Sequence, residues 1–222
     1  MSVQIKVKKI RPFFFFFVLM YKKTNFADVE LLIVGCEEMG KYMLSPIVWL
    51  RRFRKRCGYG VHSPYAFDFI TDVLYEHLPY YAYKDLDALH PFWVRKLRLR
   101  PLKLSRVLFR IANFVHPSRA CVLTTSAADR AYMQAAVPSA QWTETLSPGS
   151  LFDFVCIDAP VQDVLSYVTE SSVLVVSKLQ ENKSYWQQLL SDERVAISFD
   201  LYDLGVLMFD KRLNRKDYVV NF

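Results

Sequence analysis

The chain has 222 residues, of which 52% are hydrophobic, 15% aromatic and only 6 glycine. That length holds one domain of ordinary size plus an appendage, and the composition excludes a disordered chain, a collagen-like repeat and a small disulfide scaffold. The formal charge of +7 is local: residues 1–60 hold 12 Lys/Arg against 4 Asp/Glu, whereas residues 61–222 hold 17 against 18.

The N-terminal stretch places Lys6, Lys8, Lys9 and Arg11 before five phenylalanines at 13–17, with Lys22 and Lys23 behind. A basic segment ahead of an apolar run imitates a signal peptide. The run is too short for a bilayer, which needs about 20 helical residues, and no small-x-small cleavage site follows it. No stable transmembrane span is expected. Three readings of residues 1–42 stay open: a poorly structured extension that touches a membrane, a removed signal, or upstream sequence translated in error, with Met43 as the real start.

Residues 46–56 read as a short basic helix carrying Arg51, Arg52, Arg54, Lys55 and Arg56. Gly58 and Gly60 break it. Ser63 suits an N-cap and Pro64 the first helical position. Ala66, Phe69, Ile70, Val73, Leu74 and His77 then share one face until Pro79. A linker from Tyr80 to Pro101 leads to a second amphipathic helix with Leu104, Leu108, Ile111 and Val115. Its flank holds seven cations between Arg95 and Arg110. Together these make an N-terminal helical subdomain over 43–116.

From residue 120 the texture changes to alternating strands and helices. Strands are expected at 120–125, 141–146, 152–158, 173–176, 195–202 and 205–210, with helices at 126–136, 163–170 and 182–192. Ser126 and Asp129 form a capping box. Lys216 to Phe222 is a final extended piece. This order implies βαβ units and a mostly parallel sheet with a closing antiparallel hairpin, a Rossmann-like α/β domain over 117–222. Cys36, Cys57, Cys121 and Cys156 have no metal-ligand spacing and suit a reducing cytoplasm; no metal site is expected.

The residues Gly58-Tyr59-Gly60-Val61-His62-Ser63-Pro64-Tyr65-Ala66-Phe67, the strand Phe152-Asp153-Phe154-Val155-Cys156-Ile157-Asp158, the hairpin around Asp203-Leu204-Gly205 and the tail Tyr218-Val219-Val220-Asn221-Phe222 carry a resemblance. Over residues 44–222 the chain resembles class I S-adenosylmethionine-dependent methyltransferases. It looks most like a bacterial branch with an N-terminal helical His-Ser-Pro extension. The resemblance implies a methyltransferase fold and a cofactor held at the ends of the first, second and fourth strands.

The matching positions depart from what that cofactor needs. The family's first turn is rich in glycine, which lets the backbone approach the ligand and frees N–H groups for its carboxylate. Here the turn is Leu123-Thr124-Thr125-Ser126-Ala127-Ala128-Asp129, and no glycine lies between Val61 and Ser147. Asp129 at a helix start disfavours a second carboxylate. Glu144 is the candidate ribose acid, or else a solvated strand residue. Asp158 is a metal ligand or cofactor-side acid, or else a capping or loop acid. The span from Ala136 to Phe152 is too short for a further helix and strand, which take roughly 20 residues, so the fold is expected to be shortened in its middle.

Three functions follow from these readings. The first is a degenerate methyltransferase-like protein with reduced or lost S-adenosylmethionine binding. The second is an active methyltransferase of unknown acceptor, with Thr124, Thr125 and Ser126 on the methionine end, Glu144 on the ribose and Asp158 on the site floor. The third is a non-catalytic module that meets an acidic partner through Arg51, Arg52, Arg54, Lys55 and Arg56. No catalytic residue is assigned.

Overall fold

The computed structural model of the protein describes residues 46–55, 58–96 and 100–222. Residues Leu44–Phe222 form one compact unit. The expectations for residues 1–42, Arg56, Cys57 and Arg98 lie outside the described residues.

A seven-stranded sheet organises that unit, built from β1 (Arg119–Leu123), β2 (Gln141–Thr143), β3 (Phe152–Ile157), β4 (Val168–Ser177), β5 (Ile197–Asp200), β6 (Leu204–Met208) and β7 (Lys216–Val219). Their order is β2-β1-β3-β4-β6-β5-β7. Pairing is parallel from β2 through β4, and again between β5 and β7. Only β6 runs against its neighbours, β4 and β5. This is a Rossmann-like arrangement, mostly parallel with an antiparallel C-terminal pair. Its middle is short: β2 is an edge strand, and the chain returns from it to β3 through a loop of residues 144–151.

The strands alternate between two apolar layers, as the period of two requires. Ala120, Val122, Phe154, Cys156, Val173, Val175, Val206 and Met208 point to one core. Cys121, Val155, Ile157, Leu174, Val176 and Leu207 point to the other. Helices close both faces. On the first lie α2 (Pro64–Asp68), the π-helical turn Phe69–Leu74 that continues it, and α5 (Arg100–Val115). On the second, α7 (Lys183–Ser191) contributes Trp186 and Leu189. Three further helices, α1 (Pro46–Arg52), α3 (Tyr83–Leu86) and α4 (Phe92–Lys96), lie in the N-terminal half, and α6 (Ala127–Ala136) links β1 to β2.

The expected caps form. Ser63 accepts from the Ala66 N–H at 3.4 Å with Pro64 at the first turn, and Ser126 accepts from the Asp129 N–H at 3.2 Å. Several boundaries differ from expectation. The helix expected over 163–170 is a single 3₁₀ turn, Val164–Tyr167, and β4 begins at Val168. The strand was hidden because its pairing with β3 is broken: Phe152 pairs with Val168, yet Phe154 pairs with Val173. The extra residues bulge outward. Ser172 holds the bulge, donating to the Phe152 carbonyl at 2.6 Å and accepting from the Thr169 N–H at 2.7 Å. The 80–101 linker is largely helical, and β2 stops at Thr143 rather than at residue 146.

The basic flank is also redistributed. Arg100 binds Asp203 and donates to the Phe222 and Leu201 carbonyls at 3.0 and 2.9 Å. Arg106 pairs with Asp87, and Arg110 is buried on the Val73 and Leu74 carbonyls at 2.6 and 2.7 Å. These three fasten α5 to its neighbours. Arg52 likewise forms a two-pronged pair with Asp200, at 3.0 and 2.9 Å, while Arg51, Arg54 and Lys55 are exposed.

Candidate functional site

In an open α/β sheet, ligands gather beyond the strand carboxyl ends where the chain leaves in opposite directions from two adjacent strands. Here that point lies between β1 and β3. After β1 the chain crosses to β2 on one side, and after β3 to β4 on the other. The turn Thr124-Thr125-Ser126 follows β1 and Asp158 follows β3, so the structure brings four of the five expected site residues to one place.

Their polar groups bind one another. The Asp158 Oδ2 accepts from the Thr125 N–H at 2.8 Å, the Thr125 hydroxyl at 2.6 Å and the Lys178 ammonium at 2.9 Å. Lys178 also donates to the Thr125 Oγ1 at 2.9 Å, which closes a three-membered ring of contacts. The Asp158 residue is 7% exposed. Its backbone is pinned as well: the N–H donates to the Leu123 carbonyl at 3.2 Å, and the carbonyl accepts from the buried Asn182 Nδ2 at 3.1 Å. Burial pushes the Asp158 carboxyl upward, but the hydrogen bonds from Thr125 and Lys178 outweigh it and hold the group below the usual carboxylate range.

The first turn of α6 is engaged in the same way. The Ser126 N–H donates to the Thr124 Oγ1 at 3.3 Å, and the Asp129 N–H to the Ser126 Oγ. The Asp129 carboxylate accepts from Ser105 of α5. Burial raises its pKa above the ordinary value, against the pull of Ser105 and Ser126. Nearby, His90 is buried with its Nε2 unpaired, and burial lowers its pKa. Glu144 lies beyond the end of β2, largely exposed, in an ion pair with Arg130 at 3.0 Å. Arg130 also donates to the Thr124 carbonyl at 2.8 Å.

These contacts decide how the site suits S-adenosylmethionine. A glycine turn would leave amides open and backbone bare. This turn carries threonine and serine side chains, and its Thr125, Ser126 and Asp129 amides already have acceptors. Among the described residues there is also no group of three or more His, Cys, Asp or Glu placed to hold a metal ion.

Sequence reasoning missed Lys178, Asn182, Arg130 and Ser105. Lys178 stands two residues past the apolar run 173–176, and only the parallel pairing of β3 with β4 brings it to Asp158. Lys178 holds a left-handed backbone, φ 52°. That conformation is uncommon outside glycine and its close substitutes, and here it turns the chain at the end of β4.

No protein-family model matches the chain, and no curated protein does. Among solved structures it is similar to an SAH-bound methyltransferase of Podospora anserina, PaMTH1, with 12% identity and a TM-score of 0.34, covering 60% of this chain and 98% of that one. At that distance the fold assignment rests on the strand order itself. No helix among the described residues is long and apolar enough to cross a membrane.

Proposed function

We propose that the chain is a degenerate member of the class I methyltransferase family, from the bacterial branch with the His-Ser-Pro extension, working in the cytoplasm with S-adenosylmethionine binding reduced or lost. The observation that carries this reading is the ring formed by Asp158, Thr125 and Lys178. It ties together the first-turn amide, the strand-end acid and a cation at the point where the cofactor would enter. The missing glycines, the engaged amides of α6 and the loss of a strand beyond β2 support the same reading. A fold does not secure its usual activity.

Calorimetric titration with S-adenosylmethionine tests it. The expected result is no isotherm up to about 1 mM cofactor, a limit equivalent to roughly 4 kcal/mol of binding free energy. A micromolar isotherm that weakens in Glu144→Ala would overturn the proposal in favour of an active enzyme using Glu144 on the ribose.

A further inference from the structure

The stretch from Leu78 to Lys96 lies as a layer against α5 and α6. Tyr83, Val94, Leu102, Phe109 and Tyr132 form its buried seam, with Tyr80 and Leu86 packed against it. The ring contacts of Tyr83 with Phe109 at 5.1 Å and of His90 with Tyr132 at 5.8 Å fix which side faces in. Other large side chains of the stretch are exposed instead. Leu78 and Phe92 are each 67% exposed, Leu89 is 54% exposed, and Tyr81 is fully exposed. Four large apolar side chains within fifteen residues far exceed the single scattered exposures normal on a surface.

Cations accompany them. Lys84, Arg95 and Lys96 are exposed on the same stretch, and the Lys96 Nζ lies 5.7 Å from the centre of the Phe92 ring. Asp85 is the one acid left exposed there, because Asp87 is held by Arg106 and Tyr132. Apolar side chains with a cationic fringe, on short helical turns lying flat against a domain, have the chemistry of an interfacial membrane contact.

We propose that the outward face of residues 78–96 docks on an anionic lipid bilayer, inserting Leu78, Leu89 and Phe92 between headgroups that Lys84, Arg95 and Lys96 neutralise. The charge selects this occupant. A second copy of the same face would set like charges against each other across a two-fold axis. Nucleic acid would use the aromatic rings and cations, but it has no use for exposed Leu78 and Leu89, which cannot stack on bases. This surface lies outside the crevice, so the proposal stands apart from the reading of Asp158 and Lys178.

The test uses the full chain with vesicles of phosphatidylcholine, with and without phosphatidylserine, in a sedimentation assay. Binding is expected with phosphatidylserine and should weaken at high salt. It should fall about tenfold in Leu89→Asp and in Phe92→Asp, as loss of a buried apolar side chain implies. It should fall about fivefold for each of Arg95→Glu and Lys96→Glu. Circular dichroism confirms that each variant folds. Hydrogen exchange on the wild-type chain locates the contact: amides of 78–96 should slow when vesicles are added. Equal binding to neutral vesicles, unchanged binding in these variants, or protection confined to other segments would overturn the proposal. So would a single-stranded oligonucleotide whose binding is lost in the same variants while vesicles fail to bind.

Discussion

Asp158 and Asp129 stand at neighbouring element ends, and their surroundings push their pKa values in opposite directions. Asp158 is held low by Thr125 and Lys178 in spite of its burial. Its stabilising contribution is therefore complete above the unfolded-state value of about 3.9 and is lost as pH falls through the lower folded value. Asp129 is raised by burial, so folding favours its protonated form, and its effect on stability worsens as pH climbs from about 3.9 through the folded value. Asp129→Asn keeps an acceptor for Ser105 and should raise the urea midpoint at pH 7. An unchanged or lower midpoint would contradict that sign. Asp158→Ala leaves the Thr125 amide and Lys178 without their acceptor and should cost about 1–3 kcal/mol. Lys178→Met removes only a side chain that is 43% exposed and should cost no more than about 1 kcal/mol. Urea unfolding of both variants checks the order, which would fail if Lys178→Met proved the more damaging. The sequence pointed to Asp158 because an acid at a strand end is visible in one dimension. Lys178, its partner across two strands, needs the pairing of β3 with β4.

At the scale of elements, close packing rather than turn chemistry explains the tightest position. A Cβ at Gly205 in β6 would lie 2.5–2.9 Å from three ring atoms of Trp186 in α7, a side chain only 4% exposed. Gly205→Ala should therefore destabilise the fold by about 1–3 kcal/mol through overpacking, with Trp186 fluorescence shifting in the native state. A neutral substitution would mean that α7 yields more easily than its packing implies. Ser172→Ala should cost about 1–2 kcal/mol, because it leaves the buried Phe152 carbonyl and the Thr169 amide unpaired. Helices with a cap and an apolar face, such as α2 and α6, were legible in the sequence. The bulge in β4 was not, because four polar residues, Thr169 to Ser172, separate Val168 from the apolar run 173–176 that the same strand contains. The helical turns between Tyr80 and Lys96 were also missed: each is three to five residues long, too short for a period of 3.6 to declare itself.

For the whole molecule, the alternation of strands and helices gave the α/β class, and the short span after Ala136 gave the truncated middle, which the edge position of β2 now explains. Charge was harder to read. Cations that look like a binding face along one helix include Arg100, Arg106 and Arg110, which join α5 to the C-terminal segments, to Asp87 and to the π-helical turn Phe69–Leu74. Only contacts distant in sequence separate such internal cations from those left for a partner. The same internal closure defines the crevice, where an acid, a cation and a hydroxyl satisfy one another. Its most direct test is amide NMR of the full chain titrated with S-adenosylhomocysteine to millimolar concentration. The account predicts that the Thr125, Ser126, Asp158 and Lys178 resonances do not move. Saturable shifts confined to those residues would contradict it.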